Sequence, residues 1–177
     1  MAVIGVESKV NEDFGATLAE EHARAVTWGV RDGYQSKFPA RLHGLSVALL
    51  GRDLRPEEPY DPRDKDLRYQ LLSALAGTLV EADVARAEHA VLLVHEFQTP
   101  FTKAAAEKRS SRRIEEVLSR FGREPAEHLT IGQALGPFRV PGGGKIPLGK
   151  TFYVAKVRTV VDAGSQRSRG VNSFADR

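Results

Sequence analysis

The chain opens on an alternation: from Ala2 to Val10, Ile4, Val6 and Val10 alternate with Gly5, Glu7 and Lys9. A period of two predicts a β-strand and puts Glu7 and Lys9 on one of its faces. Thr17 followed by Glu20 has the spacing of a capping box, so a helix is expected to start near Leu18 and to fade by Gly33. Pro39 suits a first helical turn, and Leu42, Leu45, Val47, Leu49 and Leu50 form an apolar segment closed by Gly51, which predicts a short helix. The strongest helical pattern runs from Asp66 to about Ala87, where Leu67, Leu71, Leu72, Leu75, Leu79 and Val80 cover more than one face. Ala90 to Phe97 (AVLLVHEF) is an unbroken apolar run of strand length, the pattern of a central strand covered on both faces. A helix feeding such a strand predicts an α/β layout.

Further on, Ile114, Val117, Leu118 and Phe121 make an apolar stripe along a helix from Ala104 to Phe121, with Gly122 as its C-cap and a basic opposite side. Leu129 to Val161 offers short strands around Pro141-Gly142-Gly143-Gly144, of which Thr151 to Val161 is the clearest. Arg52 to Lys65 carries Pro56, Pro59 and Pro62 among charges and reads as a surface loop. The polar run beyond Val161 reads as a disordered tail. One domain over 1–161 with a tail over 162–177 is the expected organisation.

A chain of 177 residues is long enough to bury a core without staples. It contains no cysteine, which rules out disulfides, thiolate-bound metal and thiol catalysis. Its apolar stretches fall far short of the roughly 20 residues that span a bilayer, and no signal peptide opens it. A soluble, cytoplasmic protein with no membrane association is expected. The net charge of +3 permits contact with nucleic acid without demanding it. A homodimer is the other partner left open.

Three segments in order carry a resemblance: VESKVNEDFG (Val6 to Gly15), LRYQLLSALAGTLVEA (Leu67 to Ala82) and HAVLLVHEF (His89 to Phe97). Together they resemble the core of the PD-(D/E)XK, or restriction-endonuclease-like, nucleases, in which a Glu-x-Lys strand is followed by a helix and a further central strand. More narrowly, they are similar to a bacterial domain family of that superfamily. The resemblance implies a restriction-endonuclease-like mixed sheet flanked by helices, and a Mg²⁺-dependent hydrolysis of DNA phosphodiester bonds. It implies Glu7 as metal ligand, Lys9 as the group that orients the attacking water, and Gln70 as a third site residue on the following helix. Gly5, on the same strand face, would leave room for a phosphate. The superfamily also uses an Asp on a strand before Glu-x-Lys, and none lies between Met1 and Val6. The domain is therefore expected to be N-terminally incomplete, or to be a catalytically inactive relative that binds nucleic acid or a protein.

Plainer readings stand beside these. Glu7 and Lys9 also fit an ion pair on an exposed strand edge. His95 reads as a satisfied histidine of an apolar strand, and neither it nor Glu96 enters the catalytic set. Seven basic and three acidic residues lie between Lys103 and Arg123. Arg109, Arg112 and Arg113, with Arg120, can share a helical face suited to phosphates, or simply a solvated one. Gly142-Gly143-Gly144-Lys145 lacks the spacing of a phosphate-binding loop and the Ser or Thr that follows it, so a flexible hairpin is the better account.

Overall fold

The computed structural model describes residues 1–10, 12–32, 37–52, 64–122 and 129–161. Most of the proline-bearing loop, Gly33, Arg123 and the tail lie outside the described residues. The elements are β1 (Ala2–Lys9), α1 (Leu18–Asp32), α2 (Phe38–Leu50), α3 (Tyr69–Val84), β2 (His89–Gln98), α4 (Ala104–Leu118) with a 3₁₀ turn over Ser119–Phe121, β3 (Ala134–Arg139) and β4 (Thr151–Val160).

Local chemistry sets these boundaries. The capping box forms as read: Thr17 N donates to Glu20 at 2.8 Å and Glu20 N to Thr17 Oγ1 at 3.1 Å, and α1 begins at Leu18. Those bonds, the backbone one first, hold the Glu20 carboxyl below its ordinary range. Gly51 ends α2 in the left-handed region at φ 65°, open to glycine at little cost. α3 is shorter than its apolar pattern. At its start Leu67 N turns back to Asp64 O at 3.0 Å and Arg68 is extended, bridging to Thr17. At its end Arg86 takes φ 52° and Ala87 N closes onto Ala82 O at 2.7 Å.

The four strands form one mixed sheet in the order β1-β2-β4-β3, with β1, β2 and β4 parallel and β3 antiparallel. Ala90, Leu92 and Val94 of β2 and Phe152 and Val154 of β4 face the buried side. There α3 approaches β1 so closely that a Cβ at Gly5 would collide with Thr78. Gly5 therefore serves helix packing, and the space expected there for a phosphate is taken by α3. The other side of the sheet is less covered: Val91, Leu93, His95 and Phe97 are half-buried, and Ile4 and Val6 are 58% and 57% exposed. The apolar alternation of β1 thus points outward, and its polar phase points in. β2 is central, yet fully buried on only one of its two faces. No helix among the described residues is long and apolar enough to cross a membrane.

Candidate active site

Glu7 and Lys9 stand two residues apart at the C-terminal end of β1, on the phase that turns under α3. Gln70, the second residue of α3, reaches both. Lys9 Nζ donates to Gln70 Oε1 at 2.9 Å, Gln70 Nε2 donates to Glu7 Oε1 at 2.6 Å, and Lys9 Nζ lies 3.0 Å from that same oxygen. The three side chains close a triangle of contacts. Lys9 is only 4% exposed, and its ammonium also sits 5.0 Å from the centre of the Phe14 ring. The pairing of Glu7 with Lys9 is real, but it is a largely buried pair and not one on an exposed edge.

The start of α3 is delivered to β1 by the loop between β1 and α1. Tyr69 N bonds Ala16 O at 3.3 Å, Arg68 Nη1 donates to Gly15 O at 2.7 Å, and Arg68 pairs with Asp13 at 3.2 Å. The chain stretch that follows the Glu-x-Lys strand therefore holds Gln70 in place through its backbone and one carboxylate.

A second set of charged residues adjoins the triangle. The register sets Lys9 opposite Glu96 on β2, and Glu96 opposite Arg158 on β4. Lys156 Nζ lies 2.8 Å from Glu96 Oε1 as an ionic contact, Arg158 Nη2 donates to Glu96 Oε2 at 3.1 Å, and Lys156 Nζ donates to Ser111 Oγ of α4 at 2.7 Å. Burial pushes the Glu96 carboxyl up, but the nearby Lys156, Ser110 and Arg158 outweigh it, leaving the group below its ordinary range. Glu96 lies outside the catalytic set expected from the sequence. Its signal was a charged residue on the buried phase of an apolar strand, which costs free energy unless a partner is supplied. Beside Lys9 a small cleft, bordered by Glu96, Ser110 and Arg158, has a volume of about 20 Å³, room for about one water.

His95 lies on the other phase, where its Nε2 is 2.8 Å from Thr159 Oγ1 and its ring packs on Phe97. On α4, Arg109 and Arg112 are exposed, and Arg112 Nε donates to Glu116 at 2.9 Å. Arg113 is drawn inward to Glu116 at 2.9 Å and Asp13 at 3.8 Å, and Arg120 to the buried Asp64 at 3.1 Å. Arg113 and Arg120 are thus committed to carboxylates of the fold, of which Asp64 is fully buried. Gly142 to Ile146 forms a tight turn in which Gly143 and Ile146 bridge, and Gly142 N donates to Ala48 O of α2 at 2.8 Å. The glycines serve a turn docked on a helix.

Residues 1–157 match the family described as a domain of unknown function (DUF6946). The chain belongs to that family. No curated protein and no solved structure matches it. The DUF6946 match spans the whole triangle, Glu96 and Lys156, and stops one residue short of Arg158.

Among the described residues of this DUF6946 domain no three His, Asp or Glu side chains converge as a ready-made metal cage. The donors present suit a different arrangement. Both Glu96 oxygens face cations. Glu7 has one oxygen engaged, while Oε2 has no partner among the described residues. Mg²⁺ commonly binds through one or two carboxylates with substrate phosphate and waters completing the shell, and Glu7 Oε2 is the carboxylate oxygen of the triangle left for such a use.

Proposed function

We propose that this DUF6946 domain is a Mg²⁺-dependent nuclease of the restriction-endonuclease-like kind, acting on the phosphodiester bonds of DNA through Glu7, Lys9 and Gln70. The observation that carries the reading is Gln70. It lies more than sixty residues from Glu7 and Lys9 in sequence and hydrogen-bonds both. A bare ion pair on a strand needs no such third member. The site also lies at the carboxyl ends of parallel strands, where open α/β sheets present their ligand crevices.

In this reading Glu7 Oε2 holds the metal, which when bound polarises the scissile phosphate and lowers the pKa of water. Lys9, beside the water-sized cleft, orients the attacking water and offsets charge developing on the phosphate. Gln70 is a positioning residue: its amide fixes the Glu7 carboxylate and the Lys9 ammonium relative to each other. Arg109 and Arg112 on the exposed side of α4 offer contacts to the phosphate backbone.

A second reading, a nuclease-fold relative that binds nucleic acid without cleaving it, is favoured by Glu96, whose oxygens are both given to Lys156 and Arg158. One experiment separates the two. Labelled duplex and single-stranded DNA are incubated with the protein at low salt with Mg²⁺ or Mn²⁺. The nuclease reading expects cleavage that is lost in Glu7→Ala and strongly reduced in Gln70→Ala, with binding retained. Binding without cleavage in the wild type moves the function to the second reading. Neither binding nor cleavage overturns both.

A further inference from the structure

We propose that the groove between α2, α3 and the Gly142–Ile146 turn is a binding site for an amphipathic carboxylate, a single alkyl or acyl chain with one anionic end. The groove has a volume of about 530 Å³, inside the range of about 300–1,000 Å³ that small-molecule sites occupy. Its walls are apolar, with Leu45 and Val47 from α2, Ala76 and Val80 from α3, and Ile146 from the turn.

Two glycines point to an occupant. Gly44 lies inside α2 and Gly77 inside α3, where glycine is costly compared with alanine. The usual return for that cost is a close neighbour. At Gly5 it is Thr78, whose Oγ1 would collide with a Cβ placed there. At Gly44 and Gly77 a Cβ would meet nothing within 4 Å, and both residues line this one groove. Packing within the described residues accounts for neither, whereas both keep the groove wide enough for a guest.

The rim defines the guest's polar end. Arg41 and Lys145 stand there exposed and without an ion-pair partner among the described residues, against one acid, Glu81. An apolar trough with two cations at its edge matches an apolar chain that ends in a carboxylate. The Gly142 bond to Ala48 O seats the turn on α2, so that Gly144, Lys145 and Ile146 of the turn line the groove. A volume of this size suits a single short chain better than a partner helix.

The experiment titrates the full-length protein with dodecanoate and, separately, with dodecanol, followed by calorimetry, beside thermal unfolding of every variant. Wild type should bind dodecanoate saturably. Gly77→Leu and Gly44→Leu, which fill the groove, should each weaken binding by about tenfold or more while the melting temperature holds or rises, because leucine is the better helix former. Arg41→Glu with Lys145→Glu should weaken dodecanoate by about tenfold and leave dodecanol within about threefold. The site is overturned if wild type binds neither ligand, or if both leucine variants fold and bind as wild type does. Equal losses for acid and alcohol in the charge variant overturn the carboxylate assignment.

Discussion

Replacing Glu96 with Gln tests whether the ionic cluster at the strand ends supports the fold. The carboxylate faces Lys156, whose side chain is 2% exposed, and Arg158, at 20%. Removing its charge strands a buried ammonium. Breaking a buried pair from one side costs about 3–5 kcal/mol, but glutamine keeps an acceptor, and Lys156 still donates to Ser111, so about 2–3 kcal/mol is expected at pH 7. With a urea slope of about 2 kcal/mol/M, the unfolding midpoint should fall by about 1–1.5 M. The pH dependence supplies a second readout. Because the Glu96 carboxyl is held below its ordinary value of 4.5, its contribution is complete above that pH and is lost as the pH falls through the lower folded-state value. Wild type should therefore lose this share of its stability below about pH 4.5, and Glu96→Gln should lack that part of the acid slope. Urea unfolding followed by circular dichroism at pH 7 and at steps down to pH 3 measures both. A midpoint shift below about 0.3 M at pH 7, or an acid slope identical in the two proteins, would refute the reasoning.

Thr17→Ala removes one half of the capping box and should cost about 1 kcal/mol in urea unfolding, an effect Thr17→Ser largely restores. Val94→Ala, at a position with 0% exposure, should cost about 2 kcal/mol, whereas Val6→Ala, at 57%, should cost under about 0.5 kcal/mol; comparable losses at the two would contradict the assignment of the sheet faces. In DNA binding measured against salt, Arg109→Gln with Arg112→Gln should lower the slope of log K by about 2. Arg113→Gln should instead lower stability, since Arg113 is committed to Glu116 and Asp13.

The period-two alternation of β1, the Thr17/Glu20 box, the Gly51 stop and the helix leading into β2 were all legible, because each is a local signal read within a few residues. Which phase of β1 faces inward was not. Periodicity reports an alternation without its sign, and here the sign is set by Thr78 approaching Gly5 and by Gln70 satisfying the buried Glu7 and Lys9. The arginines of α4 met the same limit: their spacing allowed a shared face, but Asp13 and Asp64, distant in sequence, draw Arg113 and Arg120 inward. Gln70 was reachable only through a family resemblance, since nothing in its own segment marks a polar residue at the start of an apolar helix.

A signal for Glu96 was nevertheless present. Lys9, Glu96 and Arg158 each sit near the end of a strand, each on the phase that the buried apolar residues occupy in β2 and β4. If those strands run parallel and in register, the three residues must share one row, as the pairing of Lys9 with Glu96 and of Glu96 with Arg158 shows. Glu7 and Lys156 fall in the next row, on either side of Val94. A sheet of this kind turns scattered charges into one polar edge by topology alone. The Glu7, Lys9 and Gln70 triangle thus sits where two adjacent charge-bearing rows of the sheet reach β1. Glu7 and Gln70 touch the buried Lys9, so replacing either changes folding stability as well as chemistry, which is why every activity test of Glu7 or Gln70 needs a binding or unfolding measurement beside it.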